Sequence, residues 1–237
     1  MLLPQYITYT DEPFIDPNHA LDEPEGLLAI GGDLSTQRLL NAYRHGIFPW
    51  FNEADPILWW SPPIRTILVP HQFKLRRSFK KSLKKPFVIT ADTSFQTVIQ
   101  HCSASRKDQQ GTWITSSMIE AYCQLHQLGY AHSIEVWLNN KLVGGLYGVS
   151  LGHAFFGESM FHLHTDASKI ALFALTQLPQ PLQFDFIDCQ MPTPHLHSLG
   201  AGNIERAKFL QCLSDTLKHD DLTGNWLFDP INSIELR

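Results

Sequence analysis

The sequence lacks the features that mark disulfide-stapled, zinc-finger and membrane-spanning proteins. Its 237 residues contain four cysteines, at positions 102, 123, 189 and 212, and no two of them form a Cys-x-x-Cys pair, so neither a disulfide framework nor a zinc finger is indicated. No stretch approaches the ~18 apolar residues of a bilayer-spanning helix, and the first residues do not resemble a signal peptide. These absences predict a cytoplasmic protein without a membrane partner, stabilised by an ordinary apolar core.

Motifs of several common enzyme classes are also missing. The sequence has no phosphate-binding loop, dinucleotide fingerprint, serine elbow or cysteine–histidine nucleophile pattern. Two His-x-His pairs, at 162–164 and 195–197, have no third ligand at a recognisable spacing, so we predict no metal site. The run "HSLGAG" at 197–202 weakly resembles the pyrophosphate loop of acetyl-CoA-dependent transferases. A coenzyme A-dependent N-acetyltransferase therefore stays open as an alternative.

Positive charge is concentrated in one segment of an acidic chain. Residues 74–85 carry seven of the eighteen lysines and arginines and no acid; removing these seven charges from the net −5 leaves −12 on the other 225 residues. Leu75, Phe79 and Leu83 recur every four residues, which predicts a helix with one apolar and one basic face. The basic face suits a polyanion, and nucleic acid is favoured over lipid because no lipidation signal is present; a plain surface helix is the alternative. The seven cations are Lys74, Arg76, Arg77, Lys80, Lys81, Lys84 and Lys85.

Aromatic residues and prolines crowd into the twenty residues from Gly46 to Arg65. This stretch holds three of the six tryptophans and four of the fifteen prolines. Because proline removes backbone donors, we predict a stiff loop rather than a helix or a central strand. Its rings either pack a seam between domains or stay open for a flat ligand such as a base.

Hydrophobic periodicity predicts a mixed α/β (α+β) fold, in which helices flank a largely antiparallel sheet. Helices are expected at 36–45 behind a Ser35 cap, from Phe95, and from a capping box of Ser117 and Glu120. Three short β-prone runs follow and predict antiparallel hairpins; a helix, a strand and a final helix come after them. We predict three regions: a small N-terminal aromatic-loop domain at 1–65, a basic junction at 66–90 and a larger domain at 91–237.

Two stretches carry polar side chains suited to acid–base chemistry. Asp188 and Gln190 are two residues apart on a predicted strand, so both point to one face, where Asp188 would fix the Gln190 amide with its oxygen ready to accept an amine proton. A purely structural pair at a strand end is the alternative. Glu158 lies in an otherwise apolar strand, where an acid is costly without a partner. That partner is expected to be a substrate ammonium group or, alternatively, Lys169 or an arginine.

Motifs in unbroken order resemble the leucyl/phenylalanyl-tRNA–protein transferases. They include "EPEGLLAIGGDLS", "RLLNAYRHGIFPWF", "PILWWSP", "GTWIT", "FFGESMF" and "IDCQ", and they span roughly residues 13–210. The resemblance implies a C-terminal GNAT-like acyltransferase fold, used without coenzyme A or another cofactor. It also implies transfer of leucine or phenylalanine, with imperfect exclusion of methionine, from aminoacyl-tRNA to the α-amine of proteins that begin with Arg or Lys, marking them for degradation. We expect a monomer; a non-catalytic tRNA-binding module is a further alternative.

The same resemblance implies roles for particular residues. Trp50 and Trp113 would line the site of the terminal adenosine, and the basic helix would grip the acceptor stem by its phosphates. Asp188 and Gln190 would assist attack by the acceptor amine, and Glu158 would hold an ammonium group of either the aminoacyl moiety or the acceptor. The aminoacyl side chain would occupy an apolar pocket built from Leu146, Phe155, Leu172, Leu175 and Ile187.

The strand that carries Glu158 is predicted to be irregular. Phe155 and Glu158 are three residues apart, so a regular strand would turn them to opposite faces. If both line one site, the ladder must break, and Gly157 is the expected bulge. Nearby, Pro63 and Ile64 stand where the family has Asp-Pro, so no contact from that aspartate is expected here.

Overall fold

Two β-sheets and seven helices organise the residues that the computed structural model describes, which are 3–9, 11–107, 113–179, 182–226, 228–233 and 235–236. None of the helices in this described part combines the length and apolar character of a membrane span. The strands are β1 (Gln5–Ile7), β2 (Leu27–Gly31), β3 (Phe48–Pro49), β4 (Leu58–Trp60), β5 (Ile64–Leu68), β6 (Val88–Ala91), β7 (Ala131–Leu138), β8 (Lys141–Leu151), β9 (Ala154–His162), β10 (Phe186–Asp188), β11 (Gly202–Glu205) and β12 (Ile231–Asn232). The helices are α1 (Thr36–Arg44), α2 (Arg77–Ser82), α3 (Phe95–Lys107), α4 (Ser116–Gln127), α5 (Ala167–Thr176), α6 (Pro194–Leu199) and α7 (Arg206–Thr216).

The aromatic stretch forms part of the smaller sheet, whose strand order is β1-β2-β4-β3. Trp59 lies in β4, an interior strand, where it is fully buried and donates from Nε1 to the Gly31 carbonyl at 2.9 Å. The prediction that this stretch contains no central strand is therefore wrong. Pro49 lies in the edge strand β3 and Pro56 lies outside the strands, so neither removes a donor from interior pairing.

The larger sheet has the strand order β11-β5-β10-β9-β8-β7-β6-β12. As predicted, β7, β8 and β9 form successive antiparallel hairpins. Asn139 and Asn140 make the first turn with φ values of 52° and 59°, a conformation that matches the twist of paired strands. Among the described pairs of this sheet, only β9 and β10 run parallel. The predicted fold class, a mixed and largely antiparallel sheet flanked by helices, is confirmed.

Alternate side chains of the central strands enter two apolar cores on opposite faces of the larger sheet. Phe156 packs in the core with α3 and α4, whereas its neighbour Phe155 packs in the core with α5. The first core also contains Trp59, so it joins the smaller sheet to the larger one. β5 crosses the predicted limit at residue 65 and pairs within the larger sheet. The limits of the three regions stay a prediction.

Helix ends follow local capping chemistry, with one predicted cap displaced. α1 begins after Ser35, whose hydroxyl accepts from the Arg38 N–H at 3.3 Å, as predicted. α4 begins after Thr115, whose hydroxyl accepts from the Met118 N–H at 3.3 Å. The predicted capping box, which began at Ser117, is therefore wrong because a better placed hydroxyl precedes it.

The basic segment is less helical than predicted. α2 covers only Arg77–Ser82, because Lys74 is held before it in a non-helical link, its N–H donating at 2.8 Å to the carbonyl of the last residue of α6. Phe79 and Leu83 are buried as predicted, whereas Leu75 is 36% exposed. The apolar stripe is therefore shorter than the sequence indicated.

Candidate functional site

A cavity opens where β9 and β10 separate. The two strands pair in parallel over three positions, from Ala154 to Phe156 and from Phe186 to Asp188; β10 then ends, while β9 continues to His162. Residues beyond the last pair on both strands, Gly157 and Gln190 among them, line a cavity of about 260 Å³. The carboxyl ends of separating parallel strands are common ligand sites.

The five residues predicted to form an aminoacyl pocket all line this cavity. Leu146 comes from β8, Phe155 from β9, Ile187 from β10, and Leu172 and Leu175 from α5. Each is 4% exposed or less. An apolar wall of this kind selects a ligand by size and shape rather than by hydrogen bonds.

Indole rings form another part of the cavity wall. Trp50 and Trp113, the two residues predicted to contact adenosine, both line the cavity. Trp50 is 45% exposed and is supported by Trp60, whose ring packs edge-on at 5.8 Å and whose Nε1 donates to the Trp50 carbonyl at 2.6 Å. Trp59 therefore packs in the core, while Trp50 presents a supported ring to the cavity.

The ladder between β8 and β9 breaks beside the cavity, as predicted. Gly148 pairs with Gly157, while Tyr147 pairs with Ser159, so Glu158 is an extra residue on β9. This bulge turns Glu158 toward the cavity. In a regular strand Glu158 would point to the opposite face.

A second glycine, on the partner strand, lies tightly packed beside the bulge. A Cβ on Gly148 would lie 2.2 Å from the Phe156 carbonyl oxygen and 2.6 Å from the Phe155 ring. A Cβ on Gly157 would meet only ordinary contacts, the nearest at 3.4 Å. The bulge lies at Gly157–Glu158 as predicted, and Gly148 on the partner strand clears the space that Phe155 fills.

Glu158 is a buried carboxylate held by three neutral donors. The Tyr43 hydroxyl donates to Oε1 at 2.7 Å, the Tyr122 hydroxyl to Oε2 at 3.1 Å, and Gln190 Nε2 to Oε1 at 2.7 Å. Burial raises the pKa of Glu158 to about 7, and the three donors limit that rise because they stabilise the ionised form. The carboxylate therefore changes protonation near neutral pH.

Sequence reasoning missed the two tyrosines. Tyr43 comes from α1 and Tyr122 from α4, and their hydroxyl oxygens are in contact with each other. Burial, together with the nearby Glu158 charge, holds the pKa of both hydroxyls well above the usual value, so both remain donors. The sequence signal was weak, because a tyrosine on the apolar face of a helix normally indicates core packing.

Within the described residues, no lysine or arginine forms an ion pair with Glu158. Lys169, the alternative partner expected from the sequence, pairs instead with Asp166 at 2.6 Å. The buried Arg65 pairs with Asp188. A cationic ligand would therefore complete the surroundings of this carboxylate.

Asp188 acts on Gln190 through the backbone. β10 ends at Asp188 and Gln190 has a φ of 61°, so the two residues do not share a strand face as predicted. Asp188 Oδ1 accepts from the Gln190 backbone N–H at 2.8 Å, while the Gln190 side-chain amide donates to Glu158. The prediction that Asp188 orients the carboxamide directly is wrong: Asp188 fixes a left-handed backbone, and Glu158 orients the carboxamide. Asp188 itself does not line the cavity.

Arg65 holds Asp188 in place and was not predicted. Its Nε and Nη2 donate to the two carboxylate oxygens at 2.9 and 2.6 Å, and its Nη1 donates to the Gly46 carbonyl at 3.1 Å. The guanidinium lies 4.7 Å from the Phe48 ring and 4.5 Å from the Phe209 ring. This bidentate, buried pair fixes the end of β10 next to the cavity. The only sign in the sequence was an arginine closing the aromatic stretch.

The seven predicted phosphate contacts lie outside the cavity. All seven side chains are exposed, and none forms an ion pair within the described part of the chain. Phe79 of this segment and the preceding Phe73 pack on α5, with rings 5.9 and 5.0 Å from the Phe173 ring. The basic surface and the apolar wall therefore share α5. The seven residues are Lys74, Arg76, Arg77, Lys80, Lys81, Lys84 and Lys85.

Family models cover most of the chain. Residues 67–214 match the model of the leucyl/phenylalanyl-tRNA protein transferase, and residues 32–63 match the model of its N-terminal domain. The leucyl/phenylalanyl-tRNA–protein transferase of Legionella pneumophila (strain Corby) is 58% identical over 219 residues, which cover 90% of this chain and 99% of that protein. The chain belongs to this family. The transferase of Nitrosomonas europaea is 52% identical over 222 residues, covering 93% of this chain and 94% of that protein.

The likeness to solved structures is more distant. The C-terminal domain of a putative lysylphosphatidylglycerol synthetase from Agrobacterium fabrum gives a TM-score of 0.40 at 8% identity, covering 69% of this chain and 53% of that one. A conserved protein of unknown function from Bacteroides thetaiotaomicron gives a TM-score of 0.42 at 16% identity, covering 56% of this chain and 53% of that one.

The "HSLGAG" run is a helix end in this transferase. Residues His197 to Leu199 close α6, and Gly200 follows with a φ of 111°. The N–H groups of Gly200 and Ala201 already donate to the carbonyls of His197 and Leu196. Pyrophosphate binds at helix N-termini, and the partial negative charge of a helix C-terminus repels it. The coenzyme A alternative is therefore not favoured.

Among the residues that the structure describes, one cluster of possible metal ligands lies away from the cavity. His153, Asp185 and His219 place ligand atoms within 4.8 Å of one another. The two imidazole rings are stacked with centroids 3.8 Å apart and planes 1° from parallel, so their lone pairs run side by side instead of converging on one ion. The Thr216 hydroxyl already donates to Asp185 at 2.6 Å. We therefore assign no metal to this cluster.

Proposed function

We propose that this transferase moves leucine or phenylalanine from aminoacyl-tRNA to the N-terminal α-amine of proteins that begin with Arg or Lys. Membership of the family supports aminoacyl transfer from tRNA to protein. The observation that carries the finer proposal is a single cavity in which an apolar wall, a buried carboxylate without a described cationic partner, and an exposed indole meet. An adenosine ester of a hydrophobic amino acid has three matching parts: an apolar side chain, an ammonium group and a base.

The apolar wall would receive the aminoacyl side chain. Phe155, Leu172 and Ile187 offer it carbon surface and no charge. A wall of this kind separates side chains that differ by one methylene by only ~1–3 kcal/mol. We expect valine to be a poor donor and methionine, which nearly matches leucine in volume, to be a partial one.

Glu158 would hold the ammonium group of the aminoacyl moiety. It is on the same bulged strand as Phe155, so a ligand whose side chain contacts Phe155 brings its α-nitrogen toward Glu158. An ammonium group there would favour the ionised carboxylate and offset the burial that raises its pKa. Of the two options left open by the sequence, we therefore favour the ammonium group of the donor over that of the acceptor.

The reaction exchanges an ester for an amide. The neutral acceptor amine attacks the ester carbonyl carbon, the C–N bond forms, the bond to the ribose 3′-oxygen breaks, and the proton lost by nitrogen passes to that oxygen. Gln190 Oε1 would accept a hydrogen bond from the attacking amine, because Gln190 Nε2 is tied to Glu158 and fixes the carboxamide plane. The ester is already activated, so positioning is the main task of the enzyme.

Charge would select the two macromolecular substrates. The exposed basic segment at residues 74–85 suits the phosphates of an acceptor stem, and the acidic remainder of the chain suits a basic acceptor N-terminus. The product carries a bulky apolar residue in front of the basic one, a change suited to a degradation signal. We propose that the enzyme acts as a monomer and, because both substrates are found there, that it works in the cytoplasm.

The deciding test is a transfer assay with radiolabelled Leu-tRNA or Phe-tRNA and a peptide that begins with Arg. We expect label to move to that peptide and not to an N-acetylated copy of it. Glu158→Gln should lower kcat/KM by about 10- to 100-fold, the usual cost of losing a charge-assisted contact. The matched Asp166→Asn variant, which alters a carboxylate outside the cavity, should stay near wild type.

Other outcomes would favour the alternatives. Acetylation of the peptide from acetyl-CoA, with no movement of the aminoacyl label, would identify an N-acetyltransferase. Tight binding of tRNA without any transfer, unaffected by Asp188→Ala or Gln190→Ala, would identify a binding module. Either result contradicts the proposal.

A further inference from the structure

The chain beyond the main family model packs against the back of the aminoacyl pocket. That model ends at residue 214, yet Trp226 is 3% exposed and its ring lies 5.9 Å from the Phe155 ring. Phe184 contacts both rings, at 5.7 Å from Trp226 and 5.5 Å from Phe155. Phe155 lines the cavity, whereas Trp226 is not part of its lining. Trp226 therefore lies behind the pocket wall.

A second ring holds Trp226 from its other side. The His132 imidazole stacks on the indole with centroids 3.8 Å apart and planes 4° from parallel. His132 Nδ1 lies 2.8 Å from Asp92 Oδ2, and the same oxygen accepts the Trp226 backbone N–H at 2.8 Å. One buried aspartate thus anchors both the indole's backbone and the imidazole that covers its face.

The segment around Trp226 is tied to the large sheet on both sides. The Gly224 N–H donates to the Gly129 carbonyl at 3.3 Å before it, and after it β12 pairs with β6 and the Ser233 N–H donates to the Phe87 carbonyl at 2.9 Å. Trp226 cannot withdraw without breaking these contacts.

Phe155 is confined from the strand side as well. Its ring occupies the space that a side chain at Gly148 would need, so β8 bounds the ring on one side, while Phe184 and Trp226 contact it from another. In the described residues no acceptor lies within hydrogen-bond distance of Trp226 Nε1. The indole therefore contributes ring volume at this place rather than a hydrogen bond.

We infer that Trp226 is a specificity-determining residue, which sets the depth of the aminoacyl pocket by positioning Phe155. This inference rests on the proposed function, because it needs the cavity to hold the aminoacyl side chain. A smaller residue at 226 would let the Phe155 ring retreat and deepen the pocket. Large side chains would then gain contacts, while leucine would lose contact with the wall.

The test compares donors that differ only in the amino acid. One acceptor-stem RNA, charged with leucine, phenylalanine or tryptophan, is used with the full-length enzyme and an Arg-peptide. For Trp226→Phe we expect the ratio of kcat/KM for phenylalanine to that for leucine to rise by ~5-fold or more, and tryptophan to become a measurable donor. Because both rates come from one preparation, partial unfolding lowers them alike and leaves the ratio unchanged.

Trp137→Phe is the matched control. It makes the same indole-to-phenyl change on β7, at a residue that bonds to Thr90 and does not line the cavity. Its ratio should stay within about twofold of wild type. Trp226→Leu should shift the ratio further in the same direction. If both Trp226 variants unfold, Phe184→Leu is tested in their place, because it loosens the same ring contact and leaves the Asp92 anchor intact.

Two results would overturn the inference and are distinguishable. If the wild-type enzyme transfers leucine and phenylalanine but the ratio in the Trp226 variants stays within about twofold of wild type, only the role of Trp226 is overturned. A wild-type enzyme that transfers neither amino acid overturns the proposed function, and this inference with it.

Discussion

Glu158 is buried, accepts three hydrogen bonds from neutral donors and has no ion-pair partner in the described chain, so its charge depends on pH and on what enters the cavity. The pKa of Glu158 is about 7 in the folded protein, whereas the unfolded chain releases this proton near the ordinary glutamate pKa of 4.5. Between these values the folded state binds more protons, so the free energy of unfolding falls as pH rises, by up to ~3 kcal/mol from this group.

This pH dependence can be measured by urea unfolding of the unliganded protein at about pH 5 and about pH 8. Glu158→Gln, which has no proton to lose, should show a smaller fall in the free energy of unfolding than wild type. The Asp166→Asn variant should retain the wild-type fall, because the lysine and serine bonded to Asp166 already lower the pKa of that carboxyl. Equal falls in wild type and Glu158→Gln would contradict the raised pKa.

The Arg65–Asp188 pair is predicted to be structural and to act on catalysis through Gln190. Removing one partner leaves the other charge buried, which costs ~3–5 kcal/mol in the free energy of unfolding. We expect this loss for Arg65→Met and for Asp188→Leu. The double variant should lose much less than the sum of the two, because it leaves no unpaired charge. Urea unfolding of all three variants measures this, and additive losses would contradict the account.

At the scale of single residues, the sequence identified site residues that lie in recognisable motifs but not the distant residues that they bond to. Glu158, Gln190 and the five apolar residues were predicted and do line one cavity. Tyr43 and Arg65 could not be found this way, because their partners lie 115 and 123 residues away in the chain. Periodicity reports which face of an element is buried and carries no information on such distant pairs.

At the scale of secondary-structure elements, the bulge in β9 depends on its neighbour β8. Gly148→Ala would force the new methyl group against the Phe156 carbonyl and the Phe155 ring, an overpacking that costs ~1–3 kcal/mol. Gly157→Ala would change stability little, because its Cβ meets ordinary contacts, but it adds a methyl group at the cavity wall.

Thermal unfolding and transfer kinetics of the two variants distinguish these effects. Gly148→Ala should lower the melting temperature by several degrees, whereas Gly157→Ala should mainly raise KM for the aminoacyl donor. The reverse order of melting temperatures would show that the bulge depends on Gly157 instead.

Elements with strong local signals were predicted correctly, and those shaped by tertiary contacts were not. The β7–β8 hairpin follows from Asn139 and Asn140, whose side chains tolerate the positive φ that its turn needs. β10 ends earlier than predicted because Gln190 adopts a left-handed backbone held by Asp188. α2 begins later than predicted because Lys74 is bonded to the end of α6. Neither contact is visible in the local pattern.

At the scale of the whole molecule, charge is divided between a basic segment and an acidic remainder. Seven exposed cations without described ion-pair partners should bind phosphates by releasing counterions. Replacing Lys80, Lys81 and Lys84 with glutamine should weaken tRNA binding and lower the slope of log Kd against log salt by ~2–3. Filter binding across a range of salt concentrations measures this slope.

A matched triple variant controls for the loss of net charge. It replaces three exposed lysines outside the segment, Lys141, Lys208 and Lys218, with glutamine. The slope should fall by less than ~1 in this control. An equal fall in both triple variants would mean that net charge, and not the segment, binds the RNA.

The fold class also belongs to this scale, and the sequence predicted it because the hairpins, α5 and α7 carry clear periodicity. The strand order of the large sheet could not be predicted from the sequence, because β5 pairs with β10 across more than a hundred residues of chain. That pairing is what brings Arg65 to Asp188 and places the aromatic stretch at the cavity.

The most direct test is a crystal structure with a non-hydrolysable aminoacyl-adenosine, in which an amide replaces the ester. We predict the adenine against Trp50 and Trp113, the amino-acid side chain against Phe155, and the ammonium nitrogen within ~3.2 Å of a Glu158 carboxylate oxygen. A nucleoside bound elsewhere on the protein, with the cavity between β9 and β10 empty, would contradict the account.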